Sequence, residues 1–207
     1  MTYIHEELLD EIETLKDSGK FDEAIRKVNV ILSKDPSNEE ALLQIADIHY
    51  RRNEIDKADK AVDFLNIQKK NDPLGLYIKG ILEMEKNNRK EARDILKKAL
   101  DLTHGDNHEI IRCYGLCEYW YGNREKGMSY LKEAFEMNGQ DAEVVYNIIQ
   151  IHMLEHSYAK AKEMINYFYA NHADLKVVDK TLERYDKKVA LFEKFLATQQ
   201  ILKGVKI

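Results

Sequence analysis

Two stretches of the chain hold residue types that could do chemistry. HMLEH, from His152 to His156, has the letters H-x-x-E-H, a spacing at which two imidazoles on one helical face bind zinc and the glutamate serves as general base. HGDNHEIIRCYGLC gathers His104, His108, Cys113 and Cys117 within fourteen residues, and zinc takes imidazole and thiolate ligands alike. Each needs more than its letters. The first requires an unbroken helix through both histidines and a further acidic ligand; the second has C-x-x-x-C in place of the tight two-residue knuckle of common structural zinc sites. No G-x-S-x-G and no glycine-rich phosphate loop occurs, and the acidic pairs read as solvated helix faces.

Composition narrows the field. At 207 residues the chain buries roughly 70% of its unfolded surface, enough for a core without staples. Hydrophobic residues make up 44% and charged residues 33%, while only 2 prolines and 9 glycines interrupt them; few breakers point to helices. The 37 acidic and 32 basic residues give a formal charge of −5 with no basic block, which argues against nucleic acid as a partner. No run reaches 18 apolar residues, and MTYIHEELLDEIE places acids where a signal peptide needs a basic start and an apolar run. A cytoplasmic protein that inserts in no membrane is expected. Two cysteines suit a reducing compartment, and a bridge between Cys113 and Cys117, four apart on a helix, would join only adjacent turns.

A period runs through these residues. Ala24, Ala58, Ala92, Gly127 and Ala161 follow one another at 34, 34, 35 and 34 residues, and four positions beyond each stands an aliphatic residue: Val28, Val62, Leu96, Leu131, Ile165. Parallel threads run through Ile12, Ala46, Gly80, Gly115 and Ile149, through Leu8, Leu42, Leu76, Ile111 and Val145, and through Ile31, Leu65, Ala99, Ala134 and Phe168, all sharing one inserted residue near Asn107. Within each unit the apolar spacing is helical twice over, with Gly19, Asn53, Asn87, Gly122 or His156 in the break. Each unit is therefore a helical hairpin. Small residues belong where two axes cross within about 8–10 Å, and Pro36 and Pro73 fall at junctions between units.

GKFDEAIRKVNVILSKDPSNEEA, with Gly19, Phe21, Ala24, Ile31, Asp35 and Pro36, resembles the second helix and junction of a tetratricopeptide repeat, as do the segments from Tyr77 and from Tyr114. The likeness covers about five units over residues 5 to 171. It departs from the family pattern where Ile12 and Ile149 replace a small residue and where Gly127 replaces alanine. The resemblance implies an all-α, right-handed superhelical solenoid of helix-turn-helix repeats over residues 1–174, with units at approximately 5–38, 39–72, 73–107, 108–141 and 142–174, and a C-terminal helix in 175–207. That helix, opening after Asp174, carries Val178, Leu182, Tyr185, Val189, Phe192 and Leu196 in alternating steps of 4 and 3. One reading has it capping the apolar end of the last repeat; the other has the part after Val189 pairing with a second copy as a homodimer.

The register also places the two chemical stretches. His152 ends the first helix of the fifth unit and His156 occupies its turn, so the helix that the zinc signature needs stops at its second histidine. In the inverted zinc peptidases, whose signature this is, the remaining ligand lies far downstream, and only 51 residues follow His156 here. Cys117 stands where an inward residue packs between helices. No metal, cofactor or catalytic group is expected.

The tetratricopeptide resemblance implies that the first helix of each unit lines a concave wall. Residues of those helices pointing away from the packing face are Tyr50; Tyr77, Ile78, Ile81 and Met84; Arg112, Leu116, Tyr119 and Trp120; and Tyr146, Asn147, Gln150 and Met153. Toward the N-terminus the wall is acidic, with Glu6, Asp10, Glu13 and Asp17; beyond Tyr50 it turns aromatic and aliphatic, the types enriched at interface cores. Some family members grip acidic chaperone tails with Lys, Asn and Arg on these positions. Leu9, Glu13, Gln44, Leu74 and Ile78 stand there in this chain, so a different ligand is expected. The leading expectation is a non-catalytic protein-interaction module or assembly adaptor that takes a protein or peptide segment in the wall. A chaperone-like protein sequestering an apolar segment is the second reading, and a zinc hydrolase through HMLEH the third.

Overall fold

The computed structural model describes residues 2–171 and 180–204. Eleven helices occupy them: α1 (Thr2–Asp17), α2 (Phe21–Lys34), α3 (Glu39–Arg51), α4 (Ile55–Gln68), α5 (Pro73–Glu85), α6 (Arg89–Leu102), α7 (His108–Tyr121), α8 (Arg124–Met137), α9 (Ala142–Leu154), α10 (Tyr158–Asn171) and α11 (Lys180–Gly204). No strand occurs among the described residues, and the fold is an all-α helical repeat.

Capping residues explain where the helices begin. Asn38, Asp72, Asn107 and Asp141 end the four junctions, and each side chain accepts a hydrogen bond from a first-turn amide: Ala41 at 2.9 Å, Gly75 at 2.7 Å, Ile110 at 3.0 Å and Glu143 at 2.9 Å. Each cap satisfies an amide the helix leaves open, typically worth about 1 kcal/mol. Pro73 occupies the first position of α5, where its missing N–H costs nothing. The turns inside the hairpins use left-handed backbone at Gly19 (φ 69°), Asn53 (59°), Asn87 (62°) and His156 (56°). Gly122 differs. It adopts φ −130° and ψ −108°, because α7 runs on through Tyr121 and leaves only Gly122 and Asn123 to turn. The inserted residue lies in the junction 103–107, where His104 (φ 53°) and Gly105 (φ 75°) absorb it.

The periodic alanines are the hinge of the packing. Ala24, Ala58, Ala92 and Ala161 are fully buried. At Gly127 a methyl group would sit 2.3 Å from the Tyr119 amide nitrogen and 2.6 Å from the Gly115 carbonyl oxygen, so α7 and α8 touch backbone to backbone. Where Ile12 and Ile149 replace the small residue in the first helix, both are fully buried, Ile12 with Ala24 and Val28, Ile149 with Ala161 and Ile165.

The core is a row of clusters. Ile12, Val28, Ile31 and Ile48 fill the first; Ala46, Val62 and Leu82 the next; Leu96, Ile110, Ile111, Tyr114, Tyr119, Leu131 and Ile148 belong to a larger one across α6–α9. The last joins α9 and α10 to α11 through Val145, Ile149, Ile165, Leu182 and Val189. Lys162 pairs with Asp186 at 2.7 Å and the Phe192 ring meets Tyr158 at 4.4 Å between centroids. Leu196, expected in the same stripe, is exposed, together with Leu191 and Phe195. Val178, and the opening of the helix before Lys180, lie outside the described residues.

Candidate functional site

The first helices α1, α3, α5, α7 and α9 lie side by side, joined by side chains one repeat apart. Between α3 and α5, Tyr50 donates its hydroxyl to Glu85 at 3.3 Å; between α5 and α7, the Cys113 thiol points to the Tyr77 hydroxyl at 4.0 Å. Arg112 of α7 donates to Asn147 at 3.2 Å and pairs with Glu143 at 2.7 Å, both on α9, and Tyr119 donates to Glu155 at 2.6 Å. Burial raises the Tyr50 and Tyr119 hydroxyls to about 12, with the carboxylates of Glu85 and Glu155 adding to it, and raises Tyr77 further. All three stay protonated, Tyr50 and Tyr119 as donors to carboxylates and Tyr77 as the acceptor of the Cys113 thiol.

Toward the N-terminus ions make the same link. The Lys16 ammonium, with its side chain 4% exposed, sits 2.6 Å from Asp47, 2.7 Å from Gln44 and 2.9 Å from Glu13. Gln44 returns a hydrogen bond to Glu13 at 2.7 Å. Burial alone would raise the Glu13 carboxyl, but bonds from Lys16 and Gln44 outweigh it and hold the group below its ordinary value.

The thirteen wall positions thus divide. Arg112, Tyr119 and Met153 are buried, at 9%, 3% and 3% exposure, and hold neighbouring helices together. Tyr50, Tyr77, Ile78, Ile81, Met84, Leu116, Tyr146, Asn147 and Gln150 are half-buried. Trp120 is 42% exposed, edge-on to Tyr119, and lines a cleft of about 270 Å³ with Arg89, Lys90, Arg93 and Tyr121. Leu74 and Leu154 also stand exposed on first helices. The one-repeat hydrogen bonds and the capping series are features the sequence reading did not include. Asn38, Asp72, Asn107 and Asp141 already show the latter in their spacing of 34, 35 and 34.

The two chemical stretches do not assemble. Helix α9 ends at Leu154; His156 lies in the turn with its Nδ1 2.9 Å from the Tyr158 hydroxyl, while His152 is on the helix with Nδ1 4.0 Å from Glu155. His104 is exposed in its junction, and His108 faces Asn138 and Asp141 at 3.2 and 3.4 Å. Cys113 and Cys117 are buried free thiols, the latter 4.0 Å from the Arg89 carbonyl. Burial raises both thiols, Cys117 to about 11, so neither offers a thiolate at neutral pH. Among the described residues no three His, Cys, Asp or Glu side chains are grouped to hold a metal ion.

Known proteins have the same architecture. The tetratricopeptide repeat family model matches residues 15–82. TTC0263, a thermophilic tetratricopeptide protein of Thermus thermophilus, superposes with a TM-score of 0.75 at 18% identity, over 90% of this chain and 98% of its own. The chain has the fold of a tetratricopeptide-repeat solenoid. Pseudomonas aeruginosa PilF matches the solenoid over 97% of both chains with a TM-score of 0.66 and 15% identity. YrrB, described as having an unusual peptide-binding site, matches at 0.55 and 17% identity over 87% of this chain and 90% of its own. No curated protein matches the sequence. Among the described residues no helix of the solenoid is long and apolar enough to cross a membrane.

Proposed function

We propose that the solenoid is a non-catalytic adaptor that holds a segment of a protein partner along the wall of α3, α5, α7 and α9. The observation that supports this reading is the run of side chains left partly exposed although Ile78, Ile81, Met84 and Leu116 pack on the core: Ile78, Ile81 and Met84 on α5, Leu116 on α7 and Tyr146 on α9, with Trp120 exposed near the end of α7. Buried residues behind them hold the helices in place, so the wall is preformed and a segment binding there orders only itself. Glu85, Glu109 and Glu143 stand exposed on the same helices, which favours a partner segment with apolar anchors flanked by basic residues. That YrrB has a peptide-binding site on the same fold supports the choice of a peptide. The setting of action is the cytoplasm.

The test is affinity capture from native lysate with the intact chain beside a variant carrying Ile81→Ala, Leu116→Ala and Trp120→Ala, with circular dichroism as the check on folding. The wall reading expects at least one partner to be lost from the folded variant. Capture of the same partners in the same amounts by both proteins would overturn it.

A further inference from the structure

His152 has no part in the wall, yet its environment is unusual. It is 8% exposed, and its Nδ1 is buried without a hydrogen-bond partner. A buried imidazole nitrogen without a hydrogen bond costs free energy. The ring lines a cleft of about 460 Å³ between the start of α8, the end of α9 and the start of α10, with Arg124, Lys132 and Lys160 around it. None of these three cations has an ion pair among the described residues; Arg124 only lies over the Tyr119 ring at 5.7 Å. Two carboxylates share the lining. Glu155 accepts from the Tyr119 hydroxyl with one oxygen and turns the other toward His152 Nδ1 at 4.0 Å, and Glu125 is exposed on the first turn of α8.

Helix direction adds to the charge. Arg124 is the first residue of α8 and Lys160 the third of α10, so two helix N-termini, each with about half a positive charge, open beside the cleft. One amide of α8, that of Lys126, is already taken by Asn123. We infer that this cleft is an oxyanion site, built to take a phosphoryl-type group against His152, Lys132 and Lys160, with Arg124 closing it. The site lies at the turn end of the fourth and fifth hairpins and is independent of the peptide wall. Such a group reaches the cleft either as a free anion or on a phosphorylated side chain of a partner, and the chemistry of recognition is the same.

The histidine links binding to pH. Burial lowers its pKa, Lys160 and Lys132 lower it further, and Glu155 and Glu163 oppose them, so the free site favours the neutral ring. An oxyanion beside it raises its pKa, and binding therefore tightens as pH falls and the ring takes up a proton. Sulfate tests this cleanly, since its charge does not change in that range.

The experiment follows the imidazole resonances of the full chain by NMR while sulfate, and separately inorganic phosphate, is added at constant ionic strength. The His152 signal is expected to move saturably while that of His49 stays still, with sulfate affinity rising between pH 7.5 and pH 6. A variant with Lys132→Ala and Lys160→Ala, shown to be folded by circular dichroism, should bind about tenfold more weakly or worse, the weight of at least one charge-assisted contact. No saturable movement of His152, or binding unchanged in the double variant, would overturn the assignment. A phosphoserine peptide distinguishes the sources. Tighter binding than phosphate places the anion on a partner, and binding no tighter makes the free anion the ligand.

Discussion

The first two units and the units around α7 solve one problem with different chemistry. Each must join its first helix to the next across a seam one repeat wide. Between α1 and α3 the seam is ionic, with Lys16 buried among Glu13, Gln44 and Asp47. From α5 to α9 it is made by tyrosines, Arg112 and apolar side chains over the largest cluster of the core. A buried ammonium is desolvated at a cost that its partners only offset, whereas aromatic packing removes apolar area from water and keeps a polar tip bonded. The α7 region should therefore be the stable centre of the solenoid and α1–α3 its looser end.

Leu131→Ala gives the largest effect. The side chain is fully buried in the central cluster, and truncation should cost about 2–5 kcal/mol in denaturant unfolding. A cost below that of an equivalent truncation at Ile31, in the first cluster, would remove the contrast between the two regions. Gly127→Ala comes next. Its new methyl meets backbone rather than a yielding side chain, and about 1–3 kcal/mol should be lost. A neutral result would mean that α7 and α8 are not in backbone contact.

Lys16 sharpens the comparison from the other side. Lys16→Ala leaves Gln44, Asp47 and Glu13 without their cation and should cost about 1–2 kcal/mol, since Asp47 and Glu13 can be rehydrated at 32% and 48% exposure. Lys16→Met keeps the stem's packing and should cost less than Lys16→Ala. Equal losses would show that the stem's packing contributes nothing.

Acid separates the regions more gently. In Glu13, Asp59 and Glu83 burial raises the carboxyl, but bonds from Lys16 and Gln44, from Lys79 and Lys86, and from Asn88 and Lys86 prevail and hold each below its ordinary value of 4.5 for glutamate or 3.8 for aspartate. A depressed folded pKa stabilises the fold above the unfolded value, and that contribution disappears as pH falls through the folded one. With Glu54, lowered by its bond to His49 against burial, four such groups lie in the first three units; Glu118, bonded to Tyr114 and the Asn123 amide, is the one in the fourth. As pH drops below about 4, helical signal should begin to fall before the emission of Trp120, the single tryptophan, responds. Coincident transitions would show that both regions unfold as one.

How much of this was legible in the sequence follows the physics of repeats. A small residue recurring every 34 positions is a statement about helix crossings, so Ala24, Ala58, Ala92 and Ala161 revealed the hairpins, and the extra residue near Asn107 appears in the one junction of five residues. Wall residues were harder. A helical register assigns a stripe, but the seam between adjacent first helices runs along that stripe's edge, and whether Tyr119 faces outward or reaches Glu155 depends on its rotamer and on where the next turn stands. Trp120, one residue on, stays exposed. Chemical letters were the least reliable guide: HMLEH lost its helix to a left-handed His156, and the burial of His152 against unpaired cations has no signature in spacing.

The wall itself is tested most directly by photo-crosslinking, with a photoreactive residue placed at Trp120 or Tyr50 on the first helices, and at Phe64 or Ile67, exposed on the second helix of the second unit. Adducts with a common partner from positions 120 and 50, and none from 64 or 67, are the expected result. Adducts confined to 64 and 67 would contradict a partner segment held along the first helices.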